Sequence, residues 1–443
     1  MTSIEFSEGL ENETSTDDLE KTLVIVAADA DKRNYEVIEK EDNLNDEKDE
    51  DIQPKSSKKL KICDFKDERC SNTSLRKAKP DESVAHHSRE SYANIVATHY
   101  NSRLEKGLHE RSKSRLFYLR NFHNWIKSML INEYLVKIKD KKKNNSPIHV
   151  HDMCCGKGGD LLKWKKGSIH HLICSDIAPV SLDHCKSRYR DMQNRIGHER
   201  GSESIFSVEY IAADCTKIRL REKYQDPSMK LDLVSCQFAF HYSFESLKQA
   251  ECMLHNAAEC LSAGGYFIGT ILDSNHLLVR ARKKKSNRFG NGVYQVQMDF
   301  DINKPPLFGA KYHFYLDGVV DCPEFLIHFP TFVKLAKKYG LKLIEKSNFY
   351  DFYEKMKIEG KQLMVNMKAL ETYPPYQGAS LVGDPKFDYE FAEEYIKNYT
   401  SGEGVYVGTL SKSEWEASSI YLTFAFEKVK NSWASDGTPI YEI

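Results

Sequence analysis

The chain has 443 residues, room for one large α/β domain with a tail or second domain, and its 64 lysines and arginines nearly balance 65 acids. That balance excludes a molecule-wide field for nucleic acid or membrane, so any such field is local. Eleven cysteines without a CxxC pair or a CxxC…H spacing argue against a disulfide framework and a structural zinc site; no metal is assigned, and the thiols are expected to be reduced and mostly buried.

Residues 1–85 are rich in Glu, Asp, Lys, Ser and Asn, and their one apolar run is Leu23-Val24-Ile25-Val26. They are expected to form a disordered tail, because little apolar surface offsets the entropy of ordering. Within it 55-KSSKKLK-61 is a basic cluster that reads equally as a solvated run and as a nuclear-import signal. The start of the chain has no secretory pattern, and no run of eighteen apolar residues occurs, which points to an intracellular soluble protein.

Helical apolar spacing runs through 92–104 and again through 116–138, predicting two helices ahead of the sheet. A basic loop, 137-KIKDKKKNN-145, follows. Beyond Pro147 strands are predicted at 148–153, 170–175, 205–213, 231–236 and 265–271. Helices are predicted from about 159, over 179–194 and over 245–262, a mainly parallel sheet covered on both faces. The segment 281-ARKKKSNRFGNG-292 reads as a basic helix end and loop, 330–340 as a closing helix, and 419-SIYLTFAFEKV-429 as an antiparallel strand. Residues 431–443 form a C-terminal tail.

Ligands of such folds sit at the carboxyl ends of the strands. There the sequence has 154-CCGKGG-159, a glycine turn between a strand and a helix, suited to a nucleotide phosphate, a dinucleotide or S-adenosylmethionine. A phosphate loop needs Ser or Thr after its Lys, and Lys157 is followed by Gly158, so the ATPase reading falls. Asp176 ends the next strand, where a carboxylate accepts both ribose hydroxyls of adenosine; the bland reading is a helix N-cap. Asp214, at the third strand end, suits an adenine amino group, and the fourth strand ends in Gln237, Phe238, His241 and Tyr242. Four successive polar strand ends favour adenosylmethionine over a nicotinamide cofactor.

Seven segments, LRNFHNWIK (119–127), CCGKGGDLLKWKKG (154–167), SDIAPVSLDHCKSRY (175–189), SCQFAFHYSFES (235–246), LSAGGYFIGT (261–270), FGAKYHFYLDGVVDCPEFLIHFP (308–330) and GTLSKSEWEASSIYLTFAFEK (408–428), closely resemble the eukaryotic mRNA cap guanine-N7 methyltransferases. The resemblance covers about 90–430 and implies a class I adenosylmethionine-dependent methyltransferase domain over 86–430, with a doubly wound seven-stranded sheet and an antiparallel terminal strand. It implies that Lys127, the backbone from Cys154 to Gly156, Asp176, Asp214, Gln237 and Tyr242 hold S-adenosyl-L-methionine. It implies that His123, Asn124, Lys157, Lys163, Arg188, His241, Glu324 and Tyr421 face 5′-capped GpppN RNA. It also implies nuclear work with the transcription or capping machinery and, in some relatives, a small activating subunit.

This chain has Cys154 where members commonly have Gly, and His123 where they have Asn. Cys fits such a position only at negative φ, which is expected for Cys154. Imidazole and carboxamide present different donor sets at position 123.

Guanine N7 carries a lone pair and no proton, so in-line attack on a sulfonium methyl needs no general base, and no catalytic acid, base or nucleophile is assigned. Glu324 could accept from the guanine N1–H and amine and His241 could donate to O6, while Tyr421 or Phe238 would support the ring face. Lys163, Lys165 and Arg188 offer the triphosphate positive charge, with Lys163 and Arg188 favoured by the resemblance; Lys166 reads as a solvated helix face. An NAD(P)-dependent oxidoreductase lacks recognisable hydride-site residues here. The stronger rival is a catalytically inactive capped-RNA-binding protein on the same fold.

Overall fold

The computed structural model describes residues 92–102, 112–142, 146–197, 205–399 and 405–433, together with 24–25, 110 and 439–441. The long helix α2 (Phe117–Lys141), preceded by α1 (Tyr92–Ser102), buries Leu119, Phe122, Ile126, Met129, Leu130 and their neighbours at helical spacing along one stripe. It runs past the expected end at 138. Residues 137–141 of the segment foreseen as a basic loop form its last turn instead, where Lys139 and Lys141 face the negative end of the helix dipole.

The main sheet follows: β1 (His149–Met153), β2 (His171–Asp176), β3 (Ser207–Ala212), β4 (Leu231–Gln237) and β5 (Leu261–Leu272). Between them lie α3 (Leu161–Lys166), α4 (Pro179–Gly197) and α5 (Leu247–Ala258). After β5 come α6 (Ser274–Lys284), then an antiparallel sheet of β6 (Arg288–Gly290), β7 (Tyr294–Met298), β8 (Lys311–Leu316) and β9 (Val320–Phe325). α7 (Phe329–Lys338), β10 (Leu341–Asn348), α8 (Phe349–Met356) and β11 (Tyr421–Lys428) complete the frame.

The seven-stranded order is β3-β2-β1-β4-β5-β11-β10. Every pair is parallel except those of β11, which runs antiparallel to both β5 and β10. Alternate residues of the central strands feed two separate cores. Val150, Leu172, Leu233 and Ile268 pack beneath α2, and Ile173, Val234 and Phe267 pack on the other face with α5 and α7. Both faces are therefore apolar, as a sheet covered by helices on two sides requires. The strand order reverses between β1 and β4, which opens a crevice at their carboxyl ends.

The four-stranded sheet was not foreseen. Its alternation is plain in 294-YQVQM-298 and 311-KYHFYL-316, whose side chains are alternately buried and exposed. Residues 281–292, expected as helix end and loop, contain β6. The expected C-terminal tail is in part a two-stranded ribbon, Asn431–Trp433 with Pro439–Tyr441, and Lys428 Nζ lies 4.9 Å from the Tyr441 ring centre. The expected disorder over 1–85 and its basic cluster lie outside the described residues, apart from Val24–Ile25, which pair in parallel with Val407–Gly408.

Candidate active site

The glycine turn leaves β1 through a left-handed residue. Cys154 has φ +58°, so the negative φ expected from its side chain is corrected. A residue other than glycine costs about 1–2 kcal/mol there, and the Cys154 sulfur makes compensating contact with Cys215 Sγ at 3.6 Å. The turn is held by its backbone: Cys155 N donates to Ser175 O at 3.0 Å, and Gly158 N to Cys155 O at 3.1 Å. Gly158 has φ +72°, and a Cβ on it would meet Cys185 Sγ at 2.7 Å.

Asp176 joins this turn to the end of β2. Its Oδ2 accepts from Gly156 N at 2.8 Å and its Oδ1 from Ala178 N at 2.8 Å. The helix starts at Pro179, so Asp176 is not its N-cap; the bond from Ala178 N closes a local turn, and each carboxylate oxygen keeps a second lone pair able to accept from a ligand. Burial raises its pKa above the ordinary carboxylate value, while the two backbone N–H groups pull the other way. Asp214 is half-buried; its Oδ1 accepts from Thr216 N and Oγ1, and its Oδ2 lies 2.8 Å from Lys217 Nζ. Gln237 turns inward, donating to Ser235 Oγ at 2.9 Å and accepting from Thr270 Oγ1 at 3.1 Å.

At the strand ends lies a cleft lined by Cys154, Ile177, Asp214, Thr216 and Tyr242, and walled by Tyr92 and Val96 of α1, with Asp176 and Gln237 outside its lining. At Gly156, φ is +53° and no atom lies within 4 Å of where a Cβ would stand, so a ligand can approach the turn closely. The Asp214 carboxylate in the cleft and the open backbone at Gly156 fit S-adenosylmethionine.

Lys127 is directed to the far end of the turn. Its Nζ contacts both oxygens of Asp160, at 2.8 and 3.0 Å, and Lys163 Nζ is 2.8 Å from the same carboxylate and donates to Asn124 Oδ1. Against the upward push of burial, the two ammonium groups hold Asp160 below its usual range. Three expected ligand-facing residues thus share one internal ion cluster, centred on an aspartate that the sequence did not single out. Lys157 and Arg188 are partly exposed. Beneath the turn, Cys155, Cys174 and Cys185 bring their sulfurs within 4.8 Å of one another.

The cap-side residues converge from four segments. Glu324, on β9, is 2 % exposed. Its Oε2 accepts from Tyr312 Oη at 2.7 Å, and its Oε1 lies 3.4 Å from His241 Nε2. Both ring nitrogens of His241 are buried without a hydrogen-bond partner, an expensive state unless something supplies one. Tyr421 stacks on Phe349 with centroids 5.4 Å apart and meets the Phe238 and His123 rings edge-on at 5.2 and 5.0 Å.

His123 Nε2 lies 2.9 Å from Ser418 Oγ. Burial and then the Lys127 charge push His123 down to about 3, so the ring is neutral. Phe238 holds a left-handed φ of +56°, its N–H lying 3.0 Å from both Thr270 O and Thr270 Oγ1. Tyr312, Phe349, Thr270 and the α1 wall escaped the sequence reading. Only the alternation of β8 offered a signal for any of them.

The two halves touch through adjacent residues. His241 and Tyr242 have ring centres 4.3 Å apart, and Tyr242 Oη lies 3.4 Å from Cys322 Sγ on β9. Among the described residues no helix is long and apolar enough to cross a membrane.

The family model of the mRNA (guanine-N(7))-methyltransferase domain matches residues 83–429. An mRNA cap guanine-N(7) methyltransferase of Drosophila melanogaster is 50% identical over 351 residues, 79% of this chain and 80% of that one. Its namesake in Caenorhabditis elegans is 39% identical over 76% of this chain and 87% of its own. A rice enzyme of the same name, from Oryza sativa subsp. japonica, is 35% identical over 76% and 82%. With its sheet order, its open glycine turn and these matches over most of its length, the chain belongs to the mRNA (guanine-N(7))-methyltransferase family.

Proposed function

We propose that this chain transfers a methyl group from S-adenosylmethionine to N7 of the guanine that caps GpppN-ended RNA. The observation that carries the reading is the buried pair Glu324 and His241, whose ring nitrogens make no hydrogen bond among the described residues, beside a cleft that fits the cofactor in a chain of this family. When bound, S-adenosylmethionine supplies an electrophilic methyl on a sulfonium. The chain supplies alignment and exclusion of water.

Glu324 is a fixed acceptor for the two adjacent donors of guanine, N1–H and the amine, and Tyr312 keeps its carboxylate in place. His241 offers an N–H to O6 in the donating tautomer. The rings of Phe238 and Tyr421 bound the space for the base. N7 has no proton to lose, so none of these residues acts as a base. Lys163 and the partly exposed Lys157 and Arg188 give the triphosphate positive charge at the edge of the turn.

The reading of an inactive RNA-binding protein expects decayed carboxylates, whereas Asp176, Asp214 and Glu324 are all present and hydrogen-bonded or ion-paired. Incubation of the full chain with methyl-labelled S-adenosylmethionine and GpppN-ended RNA, followed by digestion, is expected to place the label on N7 of the cap guanine; label elsewhere, or none, refutes the reading. We also infer, from the family resemblance, a nuclear location and association with the capping machinery and a small activating subunit. Fractionation and co-purification of a tagged full chain test both.

A further inference from the structure

Two thiols meet at the base of the cofactor cleft. Cys154 Sγ is 3.6 Å from Cys215 Sγ, and both residues line the cleft beside Asp214 and Thr216. They arrive from different elements, Cys154 at the head of the glycine turn and Cys215 in the loop after β3. Cys154 is half-buried and Cys215 buried, so the first is the more accessible. The left-handed backbone at Cys154 would suit glycine without strain, and the hydrogen bonds that fix the turn come from Cys155, Gly156 and Gly158. What the Cys154 side chain adds is the sulfur contact, held in spite of its conformational cost.

We propose that Cys154 and Cys215 form an oxidative modification site, which a peroxide closes into a disulfide joining the glycine turn to the Asp214 loop and weakening S-adenosylmethionine binding. The proposal rests on the reading of this cleft as the cofactor site. In the first step the Cys154 sulfur attacks the peroxide; an S–O bond forms, the O–O bond breaks, and one water leaves. In the second step the Cys215 sulfur attacks Cys154; the S–S bond forms, the S–O bond breaks, and the second water leaves. Two thiols give up two electrons and two protons, and hydrogen peroxide takes them to become two waters.

An S–S bond of about 2.05 Å draws the two loops together by roughly 1.5 Å at the floor of the cleft. The contact with Cys215 pulls the Cys154 thiol down, but Cys236 beside it and burial push it up by more. The pair therefore rests reduced and reacts slowly at low peroxide.

The test treats the full reduced chain with hydrogen peroxide, digests it without reductant for mass mapping, and measures S-adenosylhomocysteine binding by calorimetry before and after. A Cys154–Cys215 linked peptide is expected, with binding at least tenfold weaker and restored by dithiothreitol. Saturating S-adenosylhomocysteine during oxidation is expected to block the linkage. Cys215→Ser, compared with itself before and after peroxide, is expected to change less than twofold. The mapping and protection arms use the unaltered chain and do not depend on that variant folding. Unchanged binding after peroxide, or a linkage confined to Cys236 or to the Cys155, Cys174 and Cys185 cluster, overturns the proposal. Failure of the untreated chain to bind S-adenosylhomocysteine would overturn the cofactor reading instead.

Discussion

The two sides of the active site are made in different ways. The side proposed for the cofactor is built from consecutive strand ends around a turn held by backbone N–H groups: Asp176 accepts from Gly156 N and Ala178 N. The side proposed for the cap is built from side chains carried by α2, the segment after β4, the antiparallel sheet and β11, and it places a carboxylate beside an imidazole that makes no hydrogen bond in the interior. A site made of backbone tolerates changes of side chain, as Cys154 in a left-handed turn demonstrates. A site made of buried polar side chains tolerates very little, because removing one group leaves its partner unsatisfied.

The sharpest way to break this contrast is Glu324→Gln. The carboxamide cannot accept from two guanine donors through both of its atoms, so kcat/KM for capped RNA is expected to fall on the order of 10³-fold. The cofactor dissociation constant is expected to stay within about twofold, measured by calorimetry; equal losses in both would erase the division between the sides.

Asp176→Ala is the mirror experiment. It is expected to weaken S-adenosylhomocysteine binding roughly 100-fold, and to cost about 2 kcal/mol of stability as the Gly156 and Ala178 N–H groups lose their acceptor. Binding of a cap analogue alone, measured by fluorescence, should hardly change.

A smaller effect concerns the frame common to both sides. His151 is fully buried, its Nε2 2.8 Å from Ser175 Oγ and its Nδ1 3.0 Å from Tyr224 Oη, and burial pushes it down to about 3. The unfolded chain takes up a proton there near pH 6.5 that the folded chain refuses, so stability is intact above that pH and declines as pH falls toward 3. Between pH 7.0 and 5.5 the chain should lose about 1 kcal/mol more than His151→Gln does, read from urea midpoints.

The smallest effect is expected at the rim. Lys283 and Lys284 end α6 and Lys285 caps it, all exposed. Replacing the three with Gln should weaken a long capped RNA several-fold and flatten its salt dependence by about 0.7 for each phosphate no longer neutralised, while leaving a capped dinucleotide unaffected. An unchanged salt slope would remove this segment from the RNA path.

The same contrast governs what the sequence disclosed. The glycine turn, Asp176 and Asp214 were legible because each sits at a strand end whose order follows from alternating strands and helices. Glu324 depended on the family resemblance. Its sheet is made of short strands after β5, of which the first was read as helix end and loop and the others were not assigned, so the sequence pattern alone did not turn its acid inward. The ion cluster around Asp160 was not visible, since it needs the α2 face to be known against the start of α3. The meeting of Cys154 with Cys215 was hidden more deeply: 61 residues separate them, and only the strand order brings their loops together.

Helix α1 touches both sides at once. Tyr92 and Val96 wall the cofactor cleft, Tyr100 Oη lies 3.3 Å from Tyr242 Oη, and the Tyr92 ring packs edge-on against Phe325, next to Glu324, at 5.6 Å. A ligand that settles this helix from either side has already met part of the ordering cost for the other. Linkage would then make the two occupancies cooperative in equal measure, each substrate strengthening its counterpart. The helix ahead of the sheet is thus placed against residues of two pockets whose ligands differ in chemistry.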